Sequence, residues 1–194
     1  MANIIMLLCS VLIGTCIDRK LKATLNTRKM PKTIIPLTMI NLIILTTDVP
    51  PIVAIKLILL VQIMLYASYY DMATKTVERN VHKLIIGIGL IGITPIYLFT
   101  EALMGLVLLP LPFIIATMIV KKAMGKNAIG EGDIYYIGAV GFTLGITGGC
   151  IGIIICLFLT LLSIPFIRKN KNEKIAFIPN LSLGFIMTIL IFIN

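Results

Sequence analysis

Sixteen of the seventeen Lys and Arg residues of this chain fall in four short clusters, and long apolar runs separate those clusters. The runs are approximately 2–17, 33–47, 52–70, 81–99, 102–120, 134–147, 150–167 and 175–193. The clusters follow the first (Arg19 to Lys32), third (Lys75 to Lys83), fifth (Lys121 to Lys126) and seventh (Arg168 to Lys174) runs; Lys56 is the exception. The loops between hold only Asp48, Glu101 and a Gly148-Gly149 turn. Basic and non-basic loops thus alternate, as they must when a chain threads a bilayer with its positive loops on one side. Several runs are shorter than the ~20 residues a perpendicular crossing needs. The expectation is an all-α integral membrane protein, a polytopic bundle of about eight (six to eight) transmembrane helices. Residues 1–194 form a single membrane-embedded domain, multi-pass in the cytoplasmic membrane, with both termini extracytoplasmic.

Composition supports this reading. Of the 194 residues 59% are hydrophobic and only 13% charged, where a soluble domain is about a quarter charged. An ordinary soluble globule, a disordered chain and a nucleic-acid module are excluded; the net charge of +9 belongs to membrane topology and no nucleic-acid partner is expected. The first run lacks a basic flank before it and reads as a span rather than a cleaved signal. No repeat, low-complexity tract or linker interrupts the chain. Cys9, Cys16, Cys150 and Cys156 form no CxxC pair, so they read as small apolar packing groups. His82 stands alone. No metal site and no cofactor are expected.

Acidic residues number eight. Asp71 ends the third run and Asp133 begins the sixth, in Gly130-Glu131-Gly132-Asp133; Glu78 and Glu131 lie in the same two basic-side loops. Carboxylates at membrane depth are costly and mark function. If their helices are neighbours, Asp71 and Asp133 can share one site and hold a single proton between them, the working state of an aspartic protease. Gly130 and Gly132 would let a substrate backbone approach Asp133. Asp133 also suits the N-cap of the sixth helix. A plainer reading stands beside this one, in which Asp133 is only a cap and Asp71 only a solvated interfacial residue.

The segment Ala128 to Gly141, with its GxGD and the Gly-bearing apolar helix after it, resembles the type IV prepilin peptidase family of membrane aspartic proteases. Asp71 through Val77 and Asn80 is similar to the family's first aspartate and the Ile-Pro-Asn beyond it. Val11 to Asp18 is similar to the Gly-Ser-Phe-Leu-Asn element of its first span, and Ile175 to Leu181 to its C-terminal Phe-Gly-Pro-Phe-Leu. The resemblance runs over nearly the whole chain. It places the two catalytic aspartates on Asp71 and Asp133 and the motif glycines on Gly130 and Gly132. Two positions depart from the pattern: the expected Pro is replaced by Glu78, or displaced, and Tyr135 stands where a Lys is common. The loop from Asp18 to Lys32 has no cysteine, so the chain resembles a short form, a peptidase without the methyltransferase segment.

The resemblance implies partners: prepilin-like proteins (pilin, pseudopilin or preflagellin) with a basic leader and an N-terminal apolar helix, cut at the cytoplasmic face. Glu131 and Glu78 are then candidate leader contacts or simply solvated carboxylates, and the basic loops would meet lipid headgroups. Tyr66, Tyr69, Tyr70, Tyr135 and Tyr136 flank the aspartates as interfacial residues, one of which could hydrogen-bond a catalytic Asp. Rival readings are a small transporter, a non-catalytic secretion-system component and a presenilin-like protease cutting within the bilayer. The oligomeric state cannot be read from the sequence.

Overall fold

In a computed structural model the chain describes residues 2–25, 34–92, 96–125, 129–167 and 176–193. Arg28, Lys29, Lys32, Lys126, Arg168, Lys169, Lys171 and Lys174 lie outside these residues, as do Ala128 and Ile175. Eight α-helices and no strand occur among the described residues: α1 (Ala2–Leu25), α2 (Ile34–Thr46), α3 (Pro51–Thr74), α4 (Arg79–Gly89), α5 (Ile96–Leu108), α6 (Leu111–Met124), α7 (Glu131–Ile167) and α8 (Ile178–Ile193). Three stretches are long and apolar enough to cross a membrane, Pro51–Thr74, Leu98–Met124 and Glu131–Ser163. The outer surface suits lipid: α6 buries none of its residues, and Met118, Ile119, Phe158 and Leu161 are all exposed. Cys9, Cys16 and Cys150 join that exposed surface, and only Cys156 is buried as expected.

The helix ends follow local chemistry. Pro51 opens α3 at its first turn, where its missing N–H costs nothing. Lys75 closes α3 in the left-handed region, φ 56°, with its amide on the Asp71 carbonyl at 2.8 Å. The fourth apolar run does not continue to residue 99: α4 stops at Gly89 and α5 starts at Ile96. Gly89 is pressed on Phe142 and Thr143, where a Cβ would stand 2.6 Å from the Phe142 ring.

Helix α7 contains a break. Its 37 residues would extend about 55 Å if straight, well beyond a ~30 Å hydrocarbon core. Gly145, at φ 75° and ψ 175°, interrupts it, a conformation that favours glycine. Cys156 lies within electrostatic reach of both Asp133 and Tyr136. A straight helix would hold Asp133 and Cys156 about 35 Å apart. The chain therefore folds back at Gly145, and residues before and after it form two arms that lie side by side. The break comes three residues before the expected Gly148-Gly149 turn. Those two glycines are helical, and Gly149 receives the Leu109 side chain where a Cβ would clash at 2.0 Å.

The first arm lies between α4 and α5. Thr143 Oγ1 donates to the Ile85 carbonyl at 3.1 Å. A Cβ at Gly105 would stand 2.1 Å from the Gly141 carbonyl oxygen, and one at Gly141 2.5 Å from that of Gly105, so α5 and α7 meet backbone to backbone. The return arm packs on α8 through Gly152 against Phe185 and Gly184 against Cys156. A buried polar junction joins α7, α8 and α3: the Tyr136 and Ser182 hydroxyls are 2.7 Å apart, and Ser182 Oγ reaches the Met64 carbonyl at 3.3 Å. On the other flank Asn41 Nδ2 donates to Ser10 Oγ at 2.6 Å and Gln62 Nε2 to the Ser10 carbonyl at 3.1 Å, tying α1, α2 and α3. In lipid such bonds and small-residue contacts replace the hydrophobic drive between helices.

Two predictions follow from this packing. Gly105→Ala or Gly141→Ala should destabilise the bundle by about 1–3 kcal/mol, because backbone cannot move aside; Gly87→Ala, with nothing within 4 Å, should not. Thermal melting in detergent separates the two groups. Tyr136→Phe and Ser182→Ala should each cost about 1 kcal/mol, and the double variant less than their sum.

Candidate active site

The register of these contacts puts the last turn of α3 and the first turns of α4, α7 and α8 at one end of the bundle. His82 meets Tyr135, with ring centroids 6.0 Å apart. Val77 meets Gly132, and Asp71 meets Ile178. Both candidate aspartates are at this end.

Asp71 is 4% exposed, the most buried charged group described. A carboxylate so placed needs a donor, and the Ile178 backbone N–H supplies one to Oδ2 at 3.1 Å. Ile178 is the first residue of α8, whose opening amides have no partner within the helix. The end of α3 thus caps the start of α8. Pro179 suits the first turn that follows, and Asn180 fixes the helix start from the other side, donating to Thr160 Oγ1 at 3.2 Å and Ser163 Oγ at 3.0 Å. The Phe177-Ile178-Pro179-Asn180-Leu181 segment, noticed in the sequence without a role, presents an amide to an aspartate.

Asp133 is half-buried in the first turn of α7, not at its N-cap. The helix begins at Glu131, and the Gly130 carbonyl accepts the Asp133 amide at 3.1 Å. Gly130 therefore holds the capping place, and Asp133 stands three residues on. There a carboxylate still meets the positive end of the helix. Its Oδ2 lies 3.2 Å from where a Cβ would stand at Gly130, so a side chain at Gly130 would crowd it. Gly132 is needed for a different neighbour: its Cβ would stand 3.0 Å from Val77 Cβ and Cγ2. Asp71 and Asp133 lie within electrostatic reach of one another.

The other expected site residues are placed as follows. Glu131 is exposed at the start of α7. Glu78 is turned inward: Tyr66 donates its hydroxyl proton to Glu78 Oε2, and Lys20 Nζ is 3.7 Å from Oε1. Tyr136, which could have reached an aspartate, bonds Ser182 instead. Among the described residues no three His, Cys, Asp or Glu side chains gather as a metal-binding group. Sequence reasoning did not anticipate the Ile178 amide, the Tyr136–Ser182 junction or the partners of Glu78.

Two carboxyl groups from separate helices, one tied to a helix N-terminus and one beside a glycine turn, can share a proton and activate a water. A profile of the type IV leader peptidase family matches residues 58–168. That stretch includes Asp71, Glu78 and Gly130 to Asp133, and it stops short of α8. No curated protein and no solved structure matches the chain. The matched stretch covers more than half of the sequence, and with these apolar helices the chain belongs to the type IV leader peptidase family, aspartic-type peptidases of membranes.

Proposed function

We propose that this chain is a membrane endopeptidase that removes the short basic leader from prepilin-like proteins, pilins, pseudopilins or preflagellins, at the cytoplasmic membrane face. Asp71 and Asp133 are its catalytic pair. The ionised member takes a proton from a water whose oxygen attacks the scissile carbonyl carbon. The protonated member donates to the carbonyl oxygen. The tetrahedral intermediate then breaks its C–N bond: the leaving amine takes the proton that the first aspartate gained from the water, and a hydroxyl proton of the intermediate returns to the other aspartate as the new carboxyl group forms. The observation that carries this reading is the convergence of two acidic side chains, far apart in sequence, at one end of the bundle and within electrostatic reach.

The alternation of basic and neutral loops supports eight crossings with this end inside and both termini outside. A substrate with an apolar helix in the bilayer and a polar leader below it would bring its junction to that depth. Gly130 and Glu131 are exposed at the mouth of the site; Gly130 leaves room for the substrate backbone, and Glu131 offers the leader a negative charge. The clustered Lys and Arg residues suit anionic lipid headgroups. The chain acts as peptidase alone, without methylating the new N-terminus.

Asp71→Asn and Asp133→Asn should each lower cleavage of a prepilin in membranes by at least about 10²-fold with normal insertion. Wild-type rates in either variant would remove that residue from the chemistry.

A further inference from the structure

The loop between α3 and α4 leaves the helix of Asp71 and packs, through Val77, on the α7 turn that carries Asp133, and three side chains brace it. Glu78, at the end of the loop, accepts from the Tyr66 hydroxyl. Tyr66 is 7% exposed on α3, five residues before Asp71. Lys20 on α1 covers both, with Nζ 3.7 Å from Glu78 Oε1 and 5.5 Å from the Tyr66 ring centroid. The loop inside this brace is short and tightly bonded. Lys75 takes the left-handed conformation, Thr74 Oγ1 donates to the Tyr70 carbonyl at 2.8 Å, and Thr76 Oγ1 donates to Thr74 Oγ1 at 2.9 Å. Val77 then projects onto Gly132, 3.0 Å from the place of a Cβ, one residue before Asp133.

We infer that Glu78 and Tyr66 are positioning residues for the aspartate pair: their bond folds the loop back on α3 and holds Val77 against Gly132, which sets the spacing of Asp71 and Asp133. The inference rests on the catalytic reading of that pair. It follows from the geometry because two carboxyl groups that repel cannot fix their own separation, and a misplacement of about 1 Å in a reacting constellation can cost on the order of 10²-fold in rate. Glu78 is then spent on its own chain rather than on the leader. Lys20 contributes less, since its ammonium is largely exposed and such pairs are weak.

The test uses the full-length enzyme with its four cysteines replaced by alanine, and a synthetic peptide of a basic leader followed by an apolar helix. Tyr66→Phe and Glu78→Gln should each lower kcat about tenfold, leave KM unchanged and displace the pH–rate profile in the same direction. Tyr66→Phe keeps the Glu78 charge, so a displacement in Glu78→Gln alone would mean that the charge acts directly, and the inference falls. A rise in KM without loss of kcat would make Glu78 a substrate contact and overturn it likewise. Independently of activity, Val77→Cys alone, partly covered at Gly132, should react slowly with a water-soluble thiol reagent, and about tenfold faster in the Tyr66→Phe background. Equal reaction rates in the two backgrounds would overturn the brace. Cleavage by Asp71→Asn would instead defeat the catalytic reading, whatever the thiol reactivity shows.

Discussion

A carboxyl group that is 4% exposed must have a hydrogen-bond donor, and Asp71 finds it in the Ile178 amide. Much of the bundle is arranged around that contact. It requires α8 to begin where α3 ends, so the two helices run antiparallel from a shared point. The next tie along them, Ser182 Oγ to the Met64 carbonyl, then falls into register about two turns deeper on α3. Tyr136 joins the same tie from α7, and Asp133 lies one turn before Tyr136. The position of the second aspartate is thus linked to the first through buried polar contacts.

Backbone proximity supplies the rest of the framework. The arm of α7 that carries Asp133 is held by α5 at Gly105 and Gly141, and the return arm by α8 at Gly152 and Gly184. These are contacts in which one main chain or ring occupies the space of a missing Cβ. Such packing is unforgiving of added volume and allows little sliding. The reversal at Gly145 brings the return arm, with Thr160 and Ser163, back to the level of the site, where Asn180 uses them to fix the start of α8.

Helices and their apolar character were legible in the sequence, because hydropathy and the alternation of basic loops report directly on membrane crossing. The breaks were less so. Gly148-Gly149 looks like a turn, yet tertiary packing places both glycines in a helix, with Gly149 against Leu109 and Gly148 against Thr188, and leaves the unusual conformation to Gly145. Likewise the apolar run after Gly89 continues in the sequence although the helix stops. At the site, Asp71 and Asp133 were visible as scarce charges at helix ends. The Ile178 donor was not, because a backbone amide has no letter in the sequence and its importance comes from where α8 begins. The partners of Glu78 were hidden for a related reason. Its partners Tyr66 and Lys20 are on two other helices, and nothing local to Glu78 announces them.

An aspartate pair sets a particular demand on a fold, since the members repel when both are charged and yet must remain close. Their geometry has to be imposed by something other than the pair. Here each constraint links a different pair of elements: Ile178 joins α8 to Asp71, Val77 joins the α3–α4 loop to Gly132, and Tyr136 joins α7 to α8. Three independent constraints meeting at one end of the bundle fix the relative position of two helix ends more firmly than any single bond could. The departure at Glu78 from the family-like pattern fits this scheme. Where a proline would stiffen the loop through its own ring, a glutamate bonded to Tyr66 ties the same loop to α3. Loop rigidity is then supplied by a tertiary contact, and Val77 stays on Gly132.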